Sequence, residues 1–144
     1  MAVPARLAVR LPDNVPLEVG ALTEHFTVAF HAMHRADLRI GERVLVLGAG
    51  PVGLAVVQCA SASGAGSIVA VEPSALRAQR AKDLGATHVV DPASADSLKA
   101  LTQGVGFDVV FADGVQPFAQ RWPLHVDVPL GKITCHRYEQ STAQ

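Results

Sequence analysis

The glycines of a short G-x-G-x-x-G run, with one acid and one arginine downstream, carry the chemistry most legible in this chain. The stretch Arg43-Val-Leu-Val-Leu-Gly-Ala-Gly-Pro-Val-Gly53 sets Gly48, Gly50 and Gly53 directly behind the apolar run Val44 to Leu47. Gly48 suits a tight turn, Gly50 lets backbone approach a diphosphate, and Gly53 lets the following helix pack closely on its strand. Pro51 fits the first helical position, where a missing N–H costs nothing. With Val52 it opens a helix whose free amides and partial positive charge suit a dinucleotide's diphosphate. Glu72 follows about 20 residues beyond Gly53, where such folds place the carboxylate that accepts from the adenosine ribose. A charged hydrogen bond of that kind contributes roughly 1.5–3 kcal/mol. The same charge would repel a 2′-phosphate, which favours NAD over NADP. Arg77 is the counter-signal, either a solvated helix-surface arginine or a partner for that phosphate.

These groups need strands and helices in a fixed order. Val44 to Leu47 and Ser67 to Val71 read as buried parallel strands, joined by a helix over Val52 to Ser61 and a Ser/Gly loop. A further helix runs from Pro73-Ser74 to Leu84 with Gly85 behind it, and Ala86 to Val90 gives a third strand. Ser94 is placed to cap a helix reaching Gln103, and Phe107 to Phe111 makes a fourth strand. Upstream, the spacing predicts an edge strand over Arg6 to Arg10 and one helix from Glu18 to about Arg35. After Ala112 the pattern degrades around Pro117, Pro123 and Pro129, and Lys132 to Cys135 is the one later strand candidate. Alternating strands and helices imply an α/β, Rossmann-type doubly wound parallel sheet, incomplete in its second half. The domain reading is 1–36 as a junction with a connecting helix, 37–116 as the NAD-binding Rossmann domain, and 117–144 as an irregular tail.

Composition agrees with an aliphatic interior. The 144 residues are 49% hydrophobic but only 5% aromatic, and 12 basic against 13 acidic side chains leave a net charge of −1. No basic run points to nucleic acid or to anionic lipid, and no apolar stretch reaches a membrane span. A cytoplasmic location is the expectation. Cys59 and Cys135 have no metal spacing, and Cys59 reads as a small buried hydrophobe. His31 and His34, one helical turn apart, have the spacing to share a metal, but packing or partial exposure is the expected role.

From Val15 to Asp91 the chain resembles the cofactor domain of the zinc-type medium-chain alcohol and polyol dehydrogenases, above all their sorbitol, butanediol and threonine dehydrogenase branch. The residues that carry the likeness are Leu11-Pro-Asp-Asn, Gly20-Ala-Leu-Thr-Glu24 and Val44-Leu-Val-Leu-Gly-Ala-Gly-Pro-Val-Gly-Leu54. Glu72-Pro-Ser, Ala81-Lys-Asp-Leu-Gly-Ala-Thr-His-Val-Val-Asp-Pro92 and Thr102-Gln-Gly104 add to it. The resemblance implies a Rossmann domain for a nicotinamide cofactor beside a separate domain holding catalytic zinc and the alcohol pocket. This chain begins where that other domain would be ending. Glu24 matches a family glutamate at the zinc, and His31 a family histidine that binds none; His25 stands where proline is usual. Ala112-Asp113-Gly114-Val115-Gln116 is similar to the family's adenine turn but one residue shorter. Cys135-His136-Arg137-Tyr138 is similar to a stretch from the family's C-terminal lobe.

The implied function is the NAD(H)-binding part of such a dehydrogenase, inactive as the isolated chain. Zinc and a small alcohol or polyol enter only if a catalytic domain is supplied, so no catalytic residue can be named here. The alternative is a non-catalytic NAD-binding module acting as a sensor or partner subunit; an S-adenosylmethionine enzyme is a distant third. Edge-to-edge homo-oligomers are a family habit, and such an association is an open expectation here.

Overall fold

The computed structural model describes residues 4–94, 97–113 and 132–136. Short aliphatic runs too brief for helices become five strands: β1 (Arg43–Leu47), β2 (Ser67–Val71), β3 (His88–Val90), β4 (Val109–Asp113) and β5 (Lys132–His136). Between and before them lie α1 (Leu17–Gly20), α2 (Thr23–Ala36), α3 (Pro51–Ala62), α4 (Ala75–Asp83) and α5 (Ser97–Leu101).

The sheet order is β3-β2-β1-β4-β5, and every pairing is parallel. This is the order of the doubly wound dinucleotide fold through its fifth strand, so the expected fold class holds. The direction of winding reverses at β1, with Val46 opposite Ala70 on one side and Phe111 on the other. The crevice for a ligand therefore lies beyond the carboxyl ends of β1 and β4.

Alternation along β1 divides the core in two. Val44 and Val46 face a cluster with Ala29, Met33, Val57 and Ala60, so α2 and α3 cover one side of the sheet. Leu45 points the other way, to Val69, Leu98, Phe107 and Val110. Period-two side chains on a strand buried on both faces give the near-continuous apolar run seen in the sequence. At the amino ends of β1 and β4, Arg43 and Asp108 form a bracket. Arg43 donates from its backbone N (2.8 Å), Nε (2.9 Å) and Nη2 (2.9 Å) to the Asp108 carboxylate. Asp108 N donates back to the Arg43 carbonyl.

Three expectations are corrected. Arg6 to Arg10 is not an edge strand: Ala5–Leu7 forms a 3₁₀ turn, and residues 4–10 are all exposed, with no strand among the described residues paired to them. The long helix from Glu18 is two helices, separated at Ala21-Leu22 just after Gly20, whose carbonyl accepts from the Thr23 hydroxyl at 2.7 Å. The helix after Ser94 is short, Ser97–Leu101, because Pro92–Ser94 takes a 3₁₀ turn first. The segment after Asp113, including Gly114 to Gln116 of the adenine turn and the tail apart from β5, lies outside the described residues.

Candidate cofactor site

β1 delivers the chain to the turn and α3 takes it away. Gly48 has φ +94°, a left-handed conformation that side-chain-bearing residues rarely adopt, and its N–H donates to the Val71 carbonyl at 2.9 Å. Gly50 is the residue before the first helical turn, in extended backbone, with Pro51 next. No side chain caps α3 there. The amides of Gly50, Val52 and Gly53 are the ones helix geometry leaves without intrahelical acceptors. A methyl group added at Gly50 would meet nothing within 4 Å, whereas one at Gly53 would strike the Gly48 carbonyl. The glycines thus divide as their spacing implies: one keeps space open beside the turn, the other permits contact between turn and helix.

Glu72 and Arg77 join this group. The Glu72 side chain is only 3% exposed. Its Oε2 accepts from Ala49 N at 2.9 Å, and Oε1 accepts from Ser74 N at 2.9 Å. Arg77 Nη2 lies 2.9 Å from the same Oε1, with its side chain 52% exposed. Burial by itself pushes the Glu72 carboxyl up. The Ser74 and Ala49 N–H groups and the Arg77 guanidinium outweigh it and hold the carboxyl below the usual carboxylate range. The arrangement offers free backbone donors at a helix start, an ionised acid beneath them and an accessible cation at the rim. That combination suits a phosphorylated nucleotide.

Residues 51–115 match the family model described as zinc-binding dehydrogenase. Over 112 residues the chain is 38% identical to sorbitol dehydrogenase of Bacillus subtilis, a match covering 76% of this chain and 32% of that protein. By these matches the chain is similar to the zinc-type alcohol and polyol dehydrogenases. Among solved members of this dehydrogenase family, 2R,3R-butanediol dehydrogenase of Bacillus subtilis superposes with a TM-score of 0.67 at 39% identity, over 77% of this chain and 33% of that one. An alcohol dehydrogenase from Thermus sp. ATN1 superposes with a TM-score of 0.80 at 25% identity, over 94% of this chain and 40% of that one. The chain spans about a third of the length of the curated dehydrogenases it matches.

Among the described residues the zinc of these dehydrogenases finds no fitting donor set. Among the described residues no group of three or more His, Cys, Asp or Glu is placed to hold a metal. Glu24 lies on α2 with its side chain 68% exposed, and its Oε2 lies 3.7 Å from His25 Nδ1. His31 and His34 are exposed on α2. Cys59 is a free, half-buried thiol whose pKa burial raises. Among the described residues no helix is long and apolar enough to cross a membrane.

Two participants escaped the sequence reading, and both are backbone groups. Ala49 and Ser74 act through their N–H, which residue type does not reveal. The signal for Ser74 is its place two residues after an acid at a strand end. For Ala49 there is none.

Proposed function

We propose that this chain is the NAD(H)-binding part of a zinc-type alcohol or polyol dehydrogenase. The observation that carries the reading is the uncapped start of α3 at Gly50, set directly above β1 and beside the end of β2, where Glu72 and Arg77 stand. In this assignment the Gly48–Gly53 turn and the start of α3 at Pro51 and Val52 hold the diphosphate. Glu72 and Arg77 form the adenosine-ribose side of the site. Held there, a nicotinamide cofactor would supply the hydride-transfer chemistry. This chain's own residues bind and orient the cofactor.

Relatives named for sorbitol and butanediol point to secondary alcohols as the substrate class of the assembled enzyme. Alcohol binding and zinc belong, by the family resemblance, to a domain other than this one, so the isolated chain is expected to bind NADH without oxidising alcohols. Cytoplasm is the compartment that goes with this use of a nicotinamide cofactor. Fluorescence titration with NADH tests binding, and an assay with secondary alcohols, NAD and added zinc tests turnover. No NADH binding would end the assignment. Clear turnover by the pure chain would overturn the non-catalytic part of it.

A further inference from the structure

Glu72 and Thr102 are the buried polar residues among those described, and Thr102 satisfies itself locally by accepting from Gly106 N at 3.1 Å. Glu72 instead reaches across 23 residues of sequence to Ala49, inside the glycine turn. A carboxylate offers about four lone-pair positions. Ala49 N, Ser74 N and Arg77 Nη2 occupy three of them, and little of the side chain meets solvent.

We propose that Glu72 is a positioning residue for the glycine turn: it fixes the Ala49 peptide, and with it the neighbouring Gly48 and Gly50 peptides, so that the turn is already shaped for a diphosphate. Its second bond, to Ser74 N, ties the same turn to the entry of α4. The proposal deepens the NAD-site reading and rests on it for the identity of the ligand, but the fastening itself does not. Loss of the carboxylate therefore weakens every diphosphate at this turn, whatever sugar it carries.

The test pairs one measurement that needs no ligand with one that does. Amide hydrogen exchange is followed by NMR on the unsubstituted chain and on Glu72→Gln, which keeps the shape and removes the charge. The expected result is faster exchange at Ala49 and Ser74, tenfold or more, with Val46 in β1 unchanged. Binding of NADH and of inorganic pyrophosphate, a probe with no ribose, is measured by calorimetry. Both are expected to weaken by roughly tenfold or more, the scale of one lost hydrogen bond to a charged group. Unchanged exchange at Ala49, or a loss confined to NADH with pyrophosphate unaffected, overturns the proposal. If the unsubstituted chain binds neither probe, the NAD-site reading fails, and the exchange data still decide the fastening. Should Glu72→Gln not fold, Ala49 protection in the unsubstituted chain decides it: exchange as fast as at exposed Val9 overturns the proposal.

Discussion

Gly50→Val and Gly53→Ala lie three residues apart and are expected to fail in opposite ways. At Gly50 the backbone is extended (φ −69°, ψ −176°), which valine accepts, and the new Cβ meets nothing within 4 Å. The stability change is that of a poorer residue before the first helical turn, about 1 kcal/mol. Binding suffers far more, because the side chain stands where the diphosphate must approach. Displacing the ligand from two amides, at about 1.5 kcal/mol or more each for bonds to a charged group, costs about 3 kcal/mol. That corresponds to about a hundredfold in affinity. At Gly53 the new Cβ strikes the Gly48 carbonyl and sits 3.0 Å from Gly48 C. The obstacle is backbone, so the cost belongs at the upper end of about 1–3 kcal/mol for overpacking. The gain of about 1 kcal/mol in helix propensity offsets only part of it. A net loss of about 2 kcal/mol lowers the melting temperature by about 4–8 °C for a chain of roughly this size. Thermal melts and NADH calorimetry on both variants separate the two effects. Unchanged NADH affinity in Gly50→Val would refute the placement of the diphosphate. A Gly53→Ala protein melting with the parent would refute the claim that turn and helix are in contact there.

The other expectations concern charge. Arg77→Ala removes the accessible cation beside Glu72 while leaving its two backbone bonds, so the preference for NADH over NADPH should widen; competitive titration measures it, and an unchanged ratio would count against Arg77 facing the sugar. Glu72 and Asp108 both have depressed pKa values, Asp108 chiefly through its bond from Arg43. A carboxyl lowered on folding adds stability that is complete above its unfolded pKa, near 4, and is lost as the pH falls through the folded value. Urea midpoints should accordingly be flat from neutral pH down to about 5 and drop below about 4. Asp108→Ala should lower the midpoint at pH 7 and shrink that acid-dependent drop. Cys59, raised by burial, should react with a neutral-pH thiol reagent more slowly in the folded chain than in urea.

The parts of the fold that were legible in the sequence are those where period and punctuation agree. β1, α3 and β2 follow from an aliphatic run, a glycine turn with Pro51, and a second run ending at Glu72. The break at Gly20 was hidden because apolar spacing continues across it, and periodicity registers faces rather than local turns. Arg6 to Arg10 alternates like a strand, but a strand needs a neighbour, and nothing in those residues supplies one. In the site, Glu72 and Arg77 were visible as residue types at a suggestive distance. What Glu72 bonds to was not visible, since Ala49 and Ser74 take part through amides that every residue but proline possesses.

The bracket between Arg43 and Asp108 has a consequence for how the sheet is assembled. A parallel strand that slips by one residue turns its whole inward face outward, exchanging Val109 and Phe111 for Val110. The paired guanidinium and carboxylate accept only one stagger, because their three bonds require both strands to begin level. Alignment is thus dictated at the foot of β1 and β4, as far as these strands allow from the glycine turn. Recognition at the opposite end is relieved of that duty, and its loops can change in length or composition while the strands beneath keep their alignment.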